Sequence, residues 1–248
     1  TSHTASGIDL AILHLRAGET FPGDPAREQA FVLLDGAVEL RAEGQAVTAS
    51  RRSLFDEGPS ALHAGPGTQT AVVARSDAEL AVLGVQGGRA FPPAFFGPGT
   101  LLEEEQRDRG RLEDTSLRIV RTVFDLRNRP DAGLVLGEVV NLPGRWSSYP
   151  PHHHPQPELY HYRFTDPRGF GHAELGEDVL RVRAFDTVEI LDGFDHPQVA
   201  APGYGMYYLW VIRHLPGLPY TVPEFAADHR WLRDPAAPAW RLRGREMP

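Results

Sequence analysis

Short apolar runs separated by Pro and Gly follow one another along the first part of the chain. Such runs, bounded by turn residues, are typical of β-strands. No stretch here repeats apolar residues at the helical spacing over a useful length. Asp35-Gly36 predicts a tight hairpin that joins two strands. We therefore expect strands over residues 7–15, 28–41 on both sides of this turn, 47–54, 68–75 and 78–85.

A segment of different composition, residues 86–114, follows these strands. It holds paired Gly and Pro residues and a run of Glu, so we interpret it as a linker with room for one short helix and a solvated acidic surface. Beyond residue 214 we predict one or two helical turns at 225–231 that pack across the strands and contribute no chemistry. Between the two segments we expect strands at 119–120, 134–140, 158–164, 169–174, 179–183, 187–190 and 204–213.

Two sets of closely spaced strands favour an all-β fold of two antiparallel barrels, one formed by residues 1–110 and one by residues 111–248. Glu28 and His63 hold positions that loosely parallel polar residues of the second half, which indicates an internal duplication. No His-x-His sequence precedes Glu28. We therefore expect the first half to be structural and to bind no metal.

The overall composition narrows the class of protein. With 248 residues, 41% of them hydrophobic and 23% charged, the chain can bury a substantial core. It has no apolar run long enough to cross a bilayer and no basic segment followed by an apolar one at its N-terminus, so we expect a cytoplasmic protein without a membrane partner. The net charge of −8 argues against a nucleic-acid partner. A small-molecule substrate and a homo-oligomer remain compatible with the sequence.

Cys and Lys are both absent. Without Cys the chain has no disulfides, no thiolate catalysis and no Cys-ligated metal site. Without Lys, Schiff-base chemistry is excluded, and anions must be held by Arg. A metal site must therefore be built from His and carboxylate groups.

The stretch of residues 144–163 concentrates such groups. If its middle is extended, His152 and His154 point to one face and His153 to the other, because side chains alternate along a strand. Three adjacent His residues could also be a solvated Pro-rich loop or a tag remnant. Glu158, at the start of the next strand, and His196, after a Gly-containing turn, favour a metal site instead. This donor set suits zinc, iron, manganese or nickel better than calcium or magnesium.

Alternation along the strand that begins at Glu158 predicts which residues share its face. Tyr160 and Tyr162 follow at steps of two and are expected beside the metal, although core packing explains Tyr162 equally well. His161 is expected on the outer surface. Tyr208 is our candidate for an acid/base or hydroxyl-binding group. Four arginines are candidates to hold a substrate carboxylate, and alternation does not choose among them: Arg145, Arg163, Arg181 and Arg183.

The order His-x-His, three residues, Glu and a later Gly-x-x-His resembles the two metal motifs of cupins, which are small antiparallel β-barrels. The sequence words around these motifs are similar to those of the 5-deoxy-glucuronate isomerases of inositol breakdown, bicupins related to the 5-keto-4-deoxyuronate isomerases of pectin breakdown. The similarity covers roughly residues 116–213. The shared words are WSSYPPH at 146–152, ELY at 158–160, AAPGY at 200–204 and YYL at 207–209.

This resemblance implies a bicupin with one metal site in its C-terminal barrel, acting as an aldose–ketose isomerase that converts 5-deoxy-glucuronate to 2-deoxy-5-keto-gluconate. The expected metal is divalent, zinc first, with manganese, iron and nickel open. A cupin dioxygenase and a non-catalytic sugar-acid binder are the alternatives. We expect Asp195 at most to orient the imidazole of His196. The expected ligands are His152, His154, Glu158 and His196, and the expected catalytic groups are Glu158, Tyr160 and Tyr208.

Overall fold

The structure is a computed structural model that describes residues 5–191 and 193–241. Within these residues, no helix combines the length and apolar character needed to cross a membrane. The regular structure of the described residues is almost entirely β. Short 3₁₀ segments at Leu112–Asp114 and Ala227–Arg233 are the exceptions, and the second agrees with the helical turns expected near 225–231.

The first part of the chain forms one antiparallel eight-stranded sheet. Its main path runs β1-β7-β3-β5-β8; β2 pairs with β6, while β4 and β6 both pair with β3. The sequence predicted the long strands and missed the short ones, β2, β5 and β8. The eight strands are β1 (Asp9–Leu15), β2 (Thr20–Pro22), β3 (Arg27–Ala42), β4 (Gln45–Arg51), β5 (Ala61–Ala64), β6 (Thr70–Ala74), β7 (Ala78–Gln86) and β8 (Ala94–Phe96).

The hairpin expected at Asp35-Gly36 is wrong, because β3 passes through this position as one continuous strand. The first half of β3 pairs with β5 and β7, and the second half pairs with β4 and β6, with a register shift between Leu33 and Asp35. Gly36 has a φ of +90°, and a Cβ there would lie 2.2 Å from the carbonyl oxygen of Asp77. Glycine is therefore required for a bend and a close approach, not for a two-residue turn.

The rest of the chain forms three further antiparallel sheets. A six-stranded sheet has the order β17-β14-β19-β11-β10-β9, a four-stranded sheet has the order β12-β18-β15-β16, and β13 pairs with β20. The strands are β9 (Glu105–Arg107), β10 (Arg118–Phe124), β11 (Leu134–Asn141), β12 (Trp146–Ser147), β13 (His152–His153), β14 (Glu158–Phe164), β15 (Phe170–Leu175), β16 (Asp178–Arg183), β17 (Thr187–Ile190), β18 (Gln198–Ala200), β19 (Met206–Arg213) and β20 (Glu224–Phe225).

The inner strands of the six-stranded sheet, β14, β19, β11 and β10, are largely buried on both faces, and the two faces have different partners. Leu159 of β14 packs with Ala30 and Val32 of the first sheet, whereas Tyr160 and Tyr162 pack in a separate cluster with the four-stranded sheet. Side chains alternate across a strand, so β10, β11, β14 and β19 each contribute residues to both clusters. One face therefore joins the two parts of the chain, and the other is available for the site.

Buried ion pairs cross the contact between the two parts. Arg51 of β4 donates to both carboxylate oxygens of Glu138 at 2.6 and 2.8 Å, with both side chains fully buried. Arg163 donates to Glu79 at 2.6 Å. His161 lies on this covered face and is only 3% exposed, so the expectation that it sits on the outer surface is wrong. The alternation was correct, but the other sheet covers that face.

Candidate metal centre

Three of the four predicted ligands converge in the structure. His154, Glu158 and His196 each offer one donor atom, and these atoms lie within 4.8 Å of one another. The Nε2 atoms of His154 and His196 are 3.2 and 3.4 Å from Oε2 of Glu158. The fourth residue, His152, packs edge to face against His196, with ring centroids 5.1 Å apart.

Three chain segments bring these side chains together. Glu158 is the first residue of β14, where it pairs with Ile190 and Ile212, so its position is fixed by neighbours on both sides. The Pro-containing break at 155–157 separates it from His154, just beyond the two-residue strand β13. His196 precedes β18, and its backbone N–H donates to the carbonyl of His152 at 3.3 Å.

The hydrogen bonds at Nδ1 orient all three imidazoles in the same sense. Nδ1 of His152 lies 2.9 Å from the carbonyl of Pro150, Nδ1 of His154 lies 2.9 Å from that of Gln156, and Nδ1 of His196 lies 2.8 Å from that of Phe194. A carbonyl oxygen only accepts, so each Nδ1 carries the proton in a neutral ring. Each Nε2 is then left with a lone pair, as in histidines that bind metals.

The donor set fits a divalent cation. Burial lowers the pKa of His196, and burial together with the neighbouring His196 lowers the pKa of His152 to about 3, so both rings are neutral at pH 7. The Nε2 atoms of His154 and His196, on rings whose Nδ1 atoms donate to backbone carbonyls, face Oε2 of Glu158 at 3.2 and 3.4 Å. Acceptors facing acceptors repel one another unless a cation lies between them. Neutral imidazoles with a carboxylate are typical ligands of zinc and of other first-row transition metals.

A cavity of about 80 Å³ lies beside these ligands. Polar and charged side chains make up much of its lining, including two arginines that the sequence did not single out. The residues that line it are Arg107, Arg118, Val120, Val139, Ser148, His152, His154, Glu158, Tyr160, His196, Tyr208, Trp210, Ile212 and Tyr220.

Two of the three predicted tyrosines line the cavity. The Tyr160 hydroxyl lies 3.0 Å from the Ser148 hydroxyl, and the Tyr208 hydroxyl donates to Ser147 at 2.8 Å. Burial raises the pKa of both phenols, and the Glu158 charge raises that of Tyr160 further, so both keep their protons at neutral pH. Tyr162 does not line the cavity and donates to Gln198 at 2.6 Å, which is the core-packing alternative.

None of the four arginines proposed from sequence lines the cavity. Arg163 lies on the opposite face with Glu79, Arg181 stacks on Phe170, and Arg145 donates to the carbonyl of Asp114. Arg107 and Arg118 line it instead. One sequence signal could have identified Arg118. It lies two residues before Val120 in a largely apolar strand, so the two side chains share the face that lines the cavity.

The segment after β19, in which we expected no chemistry, lies against one side of the cavity. The Tyr220 ring lies 4.8 Å from that of His154, and the Phe225 ring lies 5.3 Å from that of His152. Strand β20 pairs with β13, which places His152 opposite Phe225. Local sequence gives no indication of this contact, because the residues between β19 and β20 show no strand or helix pattern of their own.

Asp195 does not orient His196. Its Oδ1 lies 2.8 Å from Nδ1 of His153, a half-buried ring that does not line the cavity. The carbonyl of Phe194 fills the role expected for the Asp195 carboxylate.

Comparisons with known proteins agree with the resemblance read from the sequence. The model of the KduI/IolB family matches residues 1–232. The 5-deoxy-glucuronate isomerase of Geobacillus thermodenitrificans (strain NG80-2) is 27% identical, with 92% of this chain and 86% of the relative covered. The 5-deoxy-glucuronate isomerase of Lacticaseibacillus casei is also 27% identical, with 84% and 81% covered.

Solved structures show the same type of fold. An IolB-like protein from Salmonella typhimurium LT2 superposes with a TM-score of 0.82 at 24% identity, covering 91% of this chain and 89% of that one. A cupin 2 conserved barrel domain protein from Leptotrichia buccalis gives a TM-score of 0.52 at 14% identity, with 85% of each chain covered. The fold is therefore nearly all-β and cupin-like.

Proposed function

Because the chain belongs to the KduI/IolB family of isomerases, we propose that it converts 5-deoxy-glucuronate to 2-deoxy-5-keto-gluconate with the help of a bound divalent metal. Curated relatives that cover most of its length are named 5-deoxy-glucuronate isomerases. The observation that carries the metal-dependent part is the convergence of imidazole Nε2 lone pairs and the Glu158 carboxylate beside a cavity with two protonated tyrosines.

The proposed ligands share one cavity and one imidazole orientation. A divalent ion held there would act as a Lewis acid toward the substrate carbonyl and the neighbouring oxygen. Zinc is our first choice, and manganese, iron or nickel would suit the same donors. The ligands are His154, Glu158 and His196, which lie closest together, with His152 as the fourth.

The side chains around the cavity supply the proton transfers that the isomerisation needs. A proton leaves the carbon beside the aldehyde, a proton is added to the aldehyde carbon, and the hydroxyl proton moves between the two oxygens, so no external oxidant or reductant is required. We assign proton removal to the Glu158 carboxylate. The Tyr160 and Tyr208 hydroxyls keep their protons and can donate hydrogen bonds to the oxygens on which charge develops.

The proposal includes the architecture read from the sequence. We propose that residues 1–110 form a cupin barrel without a metal and that residues 111–248 form the catalytic one. A small sugar acid is the proposed substrate, and a cytoplasmic location and a homo-oligomer remain predictions. Tyr220 and Phe225 support a site that is shielded from water on one side, because both rings pack against ligand imidazoles.

The test is to incubate the metal-loaded protein with 5-deoxy-glucuronate in deuterated water without oxygen and to follow the aldehyde signals by NMR. Ketose product with deuterium at the carbon that gains a proton supports an enediol route with solvent exchange. Product without deuterium supports the isomerase with a shielded transfer. No conversion of this or related uronates, together with oxygen uptake on another substrate, would favour a dioxygenase. Saturable binding without turnover would favour a sugar-acid binder.

A further inference from the structure

Two arginines face each other across β9 and β10 at the edge of the cavity. Arg107 and Arg118 are direct partners in the antiparallel register, so their side chains leave the sheet on the same face. Both line the cavity that holds the candidate ligands. Like charges directly opposite each other destabilise a strand pair. An arrangement of this kind is expected where an anion binds.

The guanidinium of Arg118 is anchored on one side and open on the other. Nη1 donates to the Asp108 carboxylate and, at 2.8 Å, to the carbonyl of Ser116, while Nη2 donates to the carbonyl of Tyr149 at 3.3 Å. Within the described residues, Nε and the second hydrogen of Nη2 have no hydrogen-bond partner. Nε and Nη2 share one edge of the planar guanidinium, the edge that can bind a carboxylate through two parallel hydrogen bonds.

The surroundings of Arg118 make this edge selective. Its side chain is only 5% exposed, so an anion that reaches it is largely removed from water. Arg107 is 44% exposed and is held by Glu105 through Nε and Nη2 at 3.1 and 2.8 Å. It also lines an adjoining cavity of about 410 Å³, together with Trp210 and Tyr220. Arg107 therefore stands at the entrance, and Arg118 lies deeper.

We propose that Arg118 binds the carboxylate of the substrate through its Nε and Nη2 edge, and that Arg107 adds positive charge at the entrance. This inference rests on the proposed function, because a uronate has its carboxylate and its aldehyde at opposite ends of the chain. The metal ligands come from β13, β14 and the turn before β18, whereas the two arginines come from β9 and β10. One cavity thus offers separate groups for the two ends of a sugar acid.

This arrangement would select against neutral sugars. A sugar with a hydroxymethyl group instead of the carboxylate would leave buried guanidinium N–H groups without an anionic acceptor, and sites built to bind a polar group discriminate strongly against analogues that lack it. Arg118 would then be the residue that makes the site specific for acids, separate from the groups that move protons.

The test compares kcat/KM for 5-deoxy-glucuronate with kcat/KM for the neutral aldose that carries a hydroxymethyl group in place of the carboxylate. Arg118→Lys keeps the charge but loses the two-donor edge, so the ratio of the two values should fall by about 10-fold, and in Arg118→Met by about 100-fold. The loss should fall on the value for the acid, with the value for the neutral sugar affected much less.

Arg121→Lys is the matched control. Arg121 lies on the same strand, is also buried and is also held by a carboxylate and by backbone carbonyls, those of Leu54, Phe55 and Glu57. It does not line the cavity. The control should keep the wild-type ratio even if it lowers stability. If Arg118→Met does not fold, Arg118→Lys decides the question alone.

Calorimetry separates failure of this inference from failure of the proposed function. Binding of D-glucuronate and D-glucose to the metal-loaded protein does not depend on turnover, and Arg118→Lys should weaken only the binding of the acid. If the wild-type protein does not isomerise 5-deoxy-glucuronate but Arg118→Lys still shows this selective loss of acid binding, the proposed function is contradicted and the carboxylate site is retained. Equal losses for acid and neutral sugar, or the same loss of the ratio in Arg121→Lys, would overturn the assignment of Arg118.

Discussion

Among the described residues, each half of the chain holds a buried Glu in contact with a buried His, Glu28 with His63 and Glu158 with His154, and the two pairs are arranged in opposite ways. Glu28 and His63 are fully buried, with Nε2 of His63 2.9 Å from Oε1 of Glu28. Glu158 and His154 are nearly as buried, at 3.2 Å. From residue types, distance and burial alone, the two pairs would be assigned the same role.

The hydrogen bond at the other ring nitrogen distinguishes them. Nε of Arg129 donates to Nδ1 of His63 at 3.1 Å, so Nδ1 accepts, and Nε2 carries the proton that it donates to Glu28. In His154 the carbonyl of Gln156 accepts from Nδ1, so Nε2 is the lone-pair nitrogen. Glu28 is thus satisfied by protein donors, including the backbone N–H of Gly133 at 2.7 Å. Within the described part of the chain, Oε2 of Glu158 instead faces the Nε2 atoms of His154 and His196, an arrangement that fits a metal.

The two pairs also lie on different faces of their strands. Glu28 alternates in phase with Ala30 and Val32, which pack between the two parts of the chain, whereas Glu158 alternates in phase with Tyr160, on the cavity face. Glu28 therefore faces the contact between the two parts of the chain, whereas Glu158 faces the cavity. Arg129 and Gly133 come from the loop between β10 and β11, so this cluster fastens the second half to the first.

The largest expected effect separates the two imidazole sites. His196→Ala should lower metal affinity by more than about 100-fold and remove most activity, since loss of an outer partner alone costs 10–100-fold. His63→Ala should leave metal content unchanged, although it should destabilise the fold. Elemental analysis after dialysis measures both. Loss of metal from His63→Ala, or two tightly bound ions per wild-type chain, would contradict the assignment of one site to the second half.

Adjacent tyrosines on β19 test the two faces of the six-stranded sheet. Tyr208 lines the cavity, whereas the Tyr207 hydroxyl donates to Glu138 at 2.7 Å in the contact between the sheets. Tyr208→Phe should reduce kcat by about 100-fold with little change in thermal stability. Tyr207→Phe should keep kcat and lower the free energy of unfolding by about 1–2 kcal/mol, because a buried carboxylate loses a donor. Steady-state kinetics and thermal melts on both variants measure these effects. A loss of kcat in Tyr207→Phe with an unchanged kcat in Tyr208→Phe would contradict the assignment of the two faces.

Glu to Gln substitutions should shift stability in opposite directions at the two sites. In Glu28→Gln the new NH₂ group must face either the His63 or the Gly133 N–H, so we expect a loss of about 2–3 kcal/mol and roughly 5–10 °C in Tm. In metal-free Glu158→Gln the NH₂ group faces imidazole lone pairs instead, so Tm should stay level or rise. Thermal melts in the presence of a chelator provide the comparison. If the metal-free Glu158→Gln variant melts at a lower temperature than the metal-free wild-type protein, then His154 or His196 is protonated in the metal-free protein.

The sequence was most informative where side chains alternate over a regular strand. Strand β14 begins and ends at the predicted residues, and its alternation correctly separated Tyr160 from His161. It could not show that a second sheet covers the His161 face, because burial of an outer face depends on contacts distant in sequence. The same limit explains the hairpin predicted at Asp35-Gly36, where local turn chemistry was overridden by pairing of β3 with four other strands.

The candidate site was predictable only in part for a similar reason. Local spacing identified His152, His154, Glu158 and His196, which lie in two short motifs. It did not identify Arg118 or Tyr220, because each reaches the cavity from a segment without a motif. Tyr220 depends on the path of the chain after β19, held by contacts such as the 2.9 Å hydrogen bond from Gln156 to the carbonyl of Leu218.

The smallest expected effect concerns Asp195. It tests whether a backbone carbonyl, and not a side chain, orients the imidazole of His196. Asp195 bonds Nδ1 of His153, whose side chain lies outside the cavity, while the adjacent His196 is oriented by a backbone carbonyl that no side-chain substitution removes. Asp195→Asn should therefore keep the metal, change kcat/KM by no more than about two-fold and alter stability by about 0–1 kcal/mol, as is usual for partly exposed pairs. His153→Ala should behave in the same way. If Asp195→Asn empties the site while His153→Ala does not, the Asp195 carboxylate must act on His196 in solution, and the backbone carbonyl would not be the group that orients this ligand.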